Sequence, residues 1–156
     1  MIQRAQSVYL FLVVILMSFM LMGPIAELAL KDGQEVIFHS YAIKKYLTNE
    51  HSKLIMRTLP VIILICLAGL TSFVNIFLFN HRILQMRFCI LNILFMISIL
   101  ILIFYYYFRV KSNLLIDSHE LKLPVVFPVI GIVLTLLAYR GIQDDEMMVR
   151  SYDRLR

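Results

Sequence analysis

The charged and imidazole side chains able to carry chemistry are few, and they lie between long apolar runs rather than within them. All four histidines, His39, His51, His81 and His119, fall in connecting segments. Haem ligation or a metal centre inside a helix bundle needs imidazoles facing one another across spans, and no such pair exists here. The two cysteines, Cys66 and Cys89, form no Cys-x-x-Cys motif and fall at different depths of their helices, so they are expected as small buried hydrophobes. The acids Asp144, Asp145 and Glu146 are adjacent, and neighbouring helical residues point in different directions. They are expected as a solvated acidic turn rather than a cation site. A carboxylate in the first span could relay protons, but the nearest, Glu27, follows Gly23-Pro24 and belongs at an interface. No catalytic residue, cofactor site or metal site is therefore expected.

The elements that hold these residues are set by four runs without a charged residue: Ala5–Ala26, Thr58–Phe79, Phe88–Phe108 and Leu123–Tyr139. With 61% hydrophobic residues in 156 and a mean hydropathy of +0.85, the chain is far from soluble globular composition. A bilayer core of about 30 Å takes about 20 apolar helical residues. The first three runs reach that length, and the fourth does so if Lys122 or Arg140 snorkels. Arg4 followed by an apolar stretch resembles a signal peptide, yet the stretch is long and lacks a small-x-small cleavage site, so an uncleaved first helix is expected. The formal charge of +5 is spread over the connections, which argues against nucleic acid as a partner.

An even number of spans places both termini on one side. Lysine and arginine are nearly balanced across the faces, with Arg4, Arg82, Arg87, Arg140, Arg150, Arg154 and Arg156 against Lys31, Lys44, Lys45, Lys53, Arg57, Arg109, Lys111 and Lys122. The first helix decides, with Arg4 before it and Glu27 after it. Both termini and the basic turn 80–87 are thus expected in the cytoplasm. The outer loop, residues 27–57, contains Asp32-Gly33, a hairpin signal separating Leu28–Leu30 from Glu35–Tyr41. A small extracytoplasmic β-hairpin is expected there, then a helical or irregular stretch over Lys44–Arg57. The second outer loop, Arg109–Lys122, is short and mixed in charge.

Polar residues inside the spans suggest packing. Asn75 and Asn92 each lie five residues from the turn between the second and third helices, which puts both amides at one depth for an interhelical hydrogen bond. Ala68 and Ser72 in the second span, with Gly131, Thr135 and Ala138 in the fourth, form small-residue faces for close helix packing, within one bundle or against a partner. Pro124 suits the first turn of the fourth helix and Pro128 is expected to kink it. Tyr105, Tyr106 and Tyr107 are expected as an interfacial belt. The tail, Gly141–Arg156, continues as a cytoplasmic helix, with Met148, Tyr152 and Leu155 on one face.

Three segments are distinctive: Met1-Ile2-Gln3-Arg4-Ala5-Gln6 at the start, His81–Arg87 with Cys89 and Asn92 at the turn, and Asp144-Asp145-Glu146 with Val149–Ser151 and Asp153–Arg156 at the end. Through them the chain resembles a Bacteroidota family of small four-helix integral membrane proteins classed as a domain of unknown function. The resemblance spans the whole chain and implies the inner membrane of a Gram-negative bacterium; it supplies no activity, cofactor or catalytic residue. It also draws together a cytoplasmic interaction surface of Arg4, Arg82, Gln85, Arg87, Asp144, Asp145, Arg150, Asp153 and Arg154, in which tail acids neutralise Arg82, Arg87 or Arg4.

The expected fold is an all-α membrane protein, an antiparallel four-transmembrane-helix bundle with that hairpin and tail. The expected function is a noncatalytic scaffold or accessory subunit, whose small-residue faces meet a larger membrane complex or a second copy within the lipid bilayer. The alternative is an oligomeric transporter or channel component for a neutral or lipidic solute. An enzyme using His39, His51 or the acidic tail ranks third, without a triad or metal spacing to support it.

Overall fold

Apolar sequence alone does not continue a helix through Gly23-Pro24, because proline lacks the amide proton that helix and ladder both use. In the computed structural model, which describes residues 3–30, 35–46, 52–78, 81–113 and 116–153, the first helix α1 (Gln3–Met22) ends there and strand β1 (Pro24–Leu30) begins. The first apolar run is therefore helical only to Met22, and its last residues belong to a sheet. Three more strands follow, β2 (Glu35–His39), β3 (Ala42–Tyr46) and β4 (Ser52–Arg57), then helices α2 (Leu59–Phe77) and α3 (Arg82–Asn113). Strand β5 (Ile116–Leu121), a 3₁₀ turn (Leu123–Val126) and helix α4 (Phe127–Asp153) complete the chain.

Each helix packs on the next, and α4 closes the ring against α1. The stretches Leu59–Phe77, Arg82–Ser112 and Leu123–Met148 are long and apolar enough to cross a membrane, and α1 adds a shorter apolar stretch, Gln6–Met22. Large apolar side chains point outward along every helix, among them Phe11, Phe19, Ile63, Phe73, Ile101 and Val133. Water would penalise that surface at about 25 cal/mol per Å², whereas hydrocarbon does not. This arrangement supports membrane association.

The expected hairpin is the beginning of a larger structure, and the all-α assignment does not hold. Strands β1 and β2 pair antiparallel, with Glu27 opposite Ile37 and Leu28 opposite Val36; the Asp32-Gly33 connection lies outside the described residues. The stretch over Lys44–Arg57 is neither helical nor irregular, since β3 and β4 extend the sheet. The second outer loop supplies β5, which pairs antiparallel with β1 from the other side. The sheet order is β4-β3-β2-β1-β5, so segments about 90 residues apart in sequence share one ladder. Its inner face, with Ala26, Leu28, Val36, Phe38 and Ile43, joins one core with Met20 of α1 and Ile103, Tyr107 and Val110 of α3.

That packing accounts for two further departures. At 32 residues, α3 is about 48 Å long, well beyond the bilayer core, and its last turns support the sheet. Of the tyrosine belt, only Tyr105 is exposed; Tyr107 is buried, and Tyr106 meets Phe38 edge-on at 6.4 Å. Pro124 lies in the 3₁₀ turn and Pro128 in the first turn of α4, where no hydrogen bond is lost and no kink is required. The connection between α2 and α3 is shorter than 80–87, since Arg82–Arg87 is already helical.

Side-chain hydrogen bonds tie the sheet to the helices. Ser40 Oγ donates to the Met20 carbonyl at 2.7 Å. Thr58 Oγ1 donates to the Ser40 carbonyl at 3.0 Å, and its amide donates to the Tyr41 carbonyl at 3.2 Å. The β2–β3 turn is thus pinned to the end of α1 and the start of α2.

Candidate functional site

Two regions gather polar chemistry: the seam between α2 and α3 with the terminal end of the bundle, and the outer face of the sheet. In an apolar bundle each buried amide needs a partner, because an unbonded one costs a few kcal/mol. Asn75 and Asn92 both reach across the seam, but to other side chains rather than to each other. Asn92 Nδ2 donates to Ser72 Oγ at 2.6 Å, and Thr71 Oγ1 donates to Asn92 Oδ1 at 3.2 Å. Asn75 Nδ2 lies 3.2 Å from Cys89 Sγ. Gln85, buried on α3, donates through Nε2 to the Asn75 carbonyl at 3.3 Å. The depth match between the two amides ignored rotation about the helix axes, and rotation hands each to a nearer partner.

The small residues are used inside the bundle. Ala68, Ser72, Thr135 and Ala138 are all buried. Thr135 Oγ1 donates to the Gly131 carbonyl one turn back at 2.8 Å, which satisfies it within α4. A Cβ on Gly131 would lie 2.9 Å from Sδ and Cε of Met96, so the flexible end of Met96 fills the space this glycine leaves between α4 and α3. These faces are not available to a separate partner. Cys66 is exposed and Cys89 buried, and both are free.

At the terminal end the contacts differ from simple ion pairing. Gln6, buried in α1, donates through Nε2 to Asp145 Oδ2 at 2.8 Å. Arg82 Nη1 donates to the Asp145 backbone carbonyl at 2.9 Å. One residue of α4 therefore joins the starts of α1 and α3. Arg87 and Asp144 are exposed. Arg154 lies outside the described residues, as do the side chains of Arg4, Arg150 and Asp153. Gln6 is a working residue that sequence reasoning passed over; its signal was an amide one turn into an apolar helix, three residues after Gln3.

On the sheet's outer face, Glu27 meets Lys122 at 2.9 Å, the ion pair found among the described residues. His39 stacks against Tyr41 with ring centroids 5.3 Å apart. Lys44 Nζ lies 5.2 Å from the centre of the Tyr41 ring and 3.4 Å from its hydroxyl. Burial and, second, the Lys44 charge hold the His39 pKa below its ordinary value; Glu27 acts the other way. No group of three or more metal-ligating side chains occurs among the described residues.

The sequence that builds this architecture matches a family model across residues 2–155. The chain belongs to the family described as a domain of unknown function, DUF4293. The match spans the sheet as well as the helices, so the strands of both loops are part of the DUF4293 unit. Comparison with the curated proteins finds no match.

Proposed function

We propose that this DUF4293 member is a multi-pass protein of the bacterial inner membrane, with both termini and the α2–α3 turn in the cytoplasm and the sheet outside. On this reading it serves as a noncatalytic scaffold or accessory subunit of a larger membrane complex. The observation that carries the reading is how its buried polar groups are used. Asn92, Ser72, Thr71, Asn75, Cys89 and Gln85 bond to one another across the α2–α3 seam. They fix helix register rather than line a path for solute. Surfaces free for a partner then lie at the two ends, where Arg87, Arg140, Asp144 and Met147 are exposed at one and the sheet stands at the other. A partner would meet these ends, or the outward apolar helix faces, because the small-residue faces are occupied.

The alternative, an oligomeric transporter or channel component for a neutral or lipidic solute, draws support from one feature. A groove of about 290 Å³ between α1 and α2, lined by residues including Met17, Cys66, Gly69 and Phe73, is almost wholly apolar. Purification from native membranes in mild detergent, with mass spectrometry of the intact assembly, separates the two. A stoichiometric second protein is expected. A pure homo-oligomer that passes solute into liposomes would contradict the scaffold reading.

A further inference from the structure

Sheet register gathers cations that the sequence disperses. On the outer face, Ala42 of β3 pairs with Arg57 of β4, and Lys44 pairs with Leu54. In the β2–β3 ladder Ile37 is opposite Lys44 and Phe38 opposite Ile43, so one step further His39 comes opposite Ala42. His39, Lys44 and Arg57 thus flank Ala42 on one face, with Lys44 and Arg57 diagonal neighbours across a register shift in the β3–β4 ladder, on the order of 7–8 Å apart. Long basic side chains at that separation can close on one phosphate. The Lys44 ammonium rests on Tyr41, and neither it nor Arg57 forms an ion pair with an acid among the described residues. Of the acids that the ladders place on this face, Glu27 is held by Lys122, and Glu120 lies opposite Glu27 on β5, three strands from Lys44. Glu35, opposite Tyr46, is a diagonal neighbour of Lys44 that forms no ion pair with it.

Position and surroundings indicate what such a patch would meet. Only Thr58 separates Arg57 from α2, whose first residues Leu59 and Ile63 are exposed and apolar. In a bilayer this junction falls where hydrocarbon gives way to headgroups. Beside the cations stand Tyr46, Leu54 and Ile55, each more than a third exposed. Cations flanked by exposed aromatic and aliphatic side chains are the composition of an interfacial lipid contact. A soluble acidic partner would account for the charges but not for these apolar neighbours.

We propose that Lys44 and Arg57, with His39 beside them, hold the phosphate of an anionic phospholipid in the leaflet bordering the sheet. The inference rests on the membrane reading above. The full chain is reconstituted in nanodiscs of equal phosphatidylcholine and phosphatidylglycerol, and the lipids retained after gentle extraction are counted by native mass spectrometry. Phosphatidylglycerol should be retained in preference. Lys44→Gln with Arg57→Gln should lower that preference about thirtyfold, each cation contributing roughly a factor of five. Arg109→Gln with Lys111→Gln, which removes two charges on α3 at the same end, should leave the preference largely intact. Lys44→Arg with Arg57→Lys should also retain it, which separates loss of charge from loss of fold. No anionic preference in the wild type, or equal losses in the two Gln pairs, would overturn the proposal. Failure of the wild type to stay in bilayers after an alkaline wash would instead overturn the membrane reading itself.

Discussion

The seams on the two sides of α2 are built differently. Towards α3, α2 presents Thr71, Ser72 and Asn75, which meet Cys89 and Asn92 through side-chain hydrogen bonds. Towards α1 it presents Ile65, Cys66, Gly69 and Phe73, and a groove remains beside Met17. In water, apolar contact alone would drive both seams together. Where the surroundings are hydrocarbon, apolar contact is little better than contact with lipid, and hydrogen bonds and close packing supply the preference for one arrangement. The α2–α3 seam therefore sets the register of the bundle, while the α1–α2 seam tolerates a gap.

The largest effect is expected from removing both seam amides. Asn75→Leu with Asn92→Leu removes the partner of the buried Ser72 hydroxyl, while Thr71 keeps the Leu67 carbonyl, and should cost roughly 2 kcal/mol, measured by unfolding in mixed micelles. An equally stable fold would remove the distinction between the seams. The converse change sharpens it. A Cβ on Gly69 has ordinary contact with Met17 Cβ at 3.8 Å, so Gly69→Leu has room to grow into the groove. It should change stability by no more than about 1 kcal/mol, in the stabilising direction, helped by the poor helix propensity of glycine. A loss larger than that would mean α1 and α2 depend on close approach at this position.

The smallest effect concerns the sheet and provides a control remote from both seams. Because the folded protein holds the His39 pKa below its unfolded value, folding favours the neutral imidazole. That contribution is fully present above about pH 6.5, the unfolded value, and is lost as pH falls through the lowered folded value. Hydrogen exchange, corrected for intrinsic rates, should show the β2–β3 amides losing protection on acidification while the α2–α3 seam does not. His39→Gln should flatten that dependence.

How much of this was legible in the residues depends on which interactions are local. Helix positions followed from uninterrupted apolar runs, because hydropathy and length suffice for them. The first strand was hidden for the same reason: Ile25, Ala26 and Leu28 read as a continuation of the first run, although Gly23-Pro24 marked the break. Strand β5 was hidden by distance, since Ile116–Leu121 becomes a strand only by pairing with β1. Composition does not encode such a pairing. Asn75 and Asn92 were identifiable as buried interhelical donors, but partner choice depends on rotation angles that spacing alone leaves free. The joining of Gln6 and Arg82 at Asp145 needed the ring closure of α4 on α1, again a long-range contact. The cationic patch around Ala42 depends on ladder register across three strands.

A double-mutant cycle on Ser72→Ala and Asn92→Leu tests most directly whether hydrogen bonds specify the α2–α3 seam. The 2.6 Å bond between these side chains predicts a coupling energy of about 0.6–1.7 kcal/mol in mixed-micelle unfolding. Additive single effects, with no coupling beyond error, would contradict it.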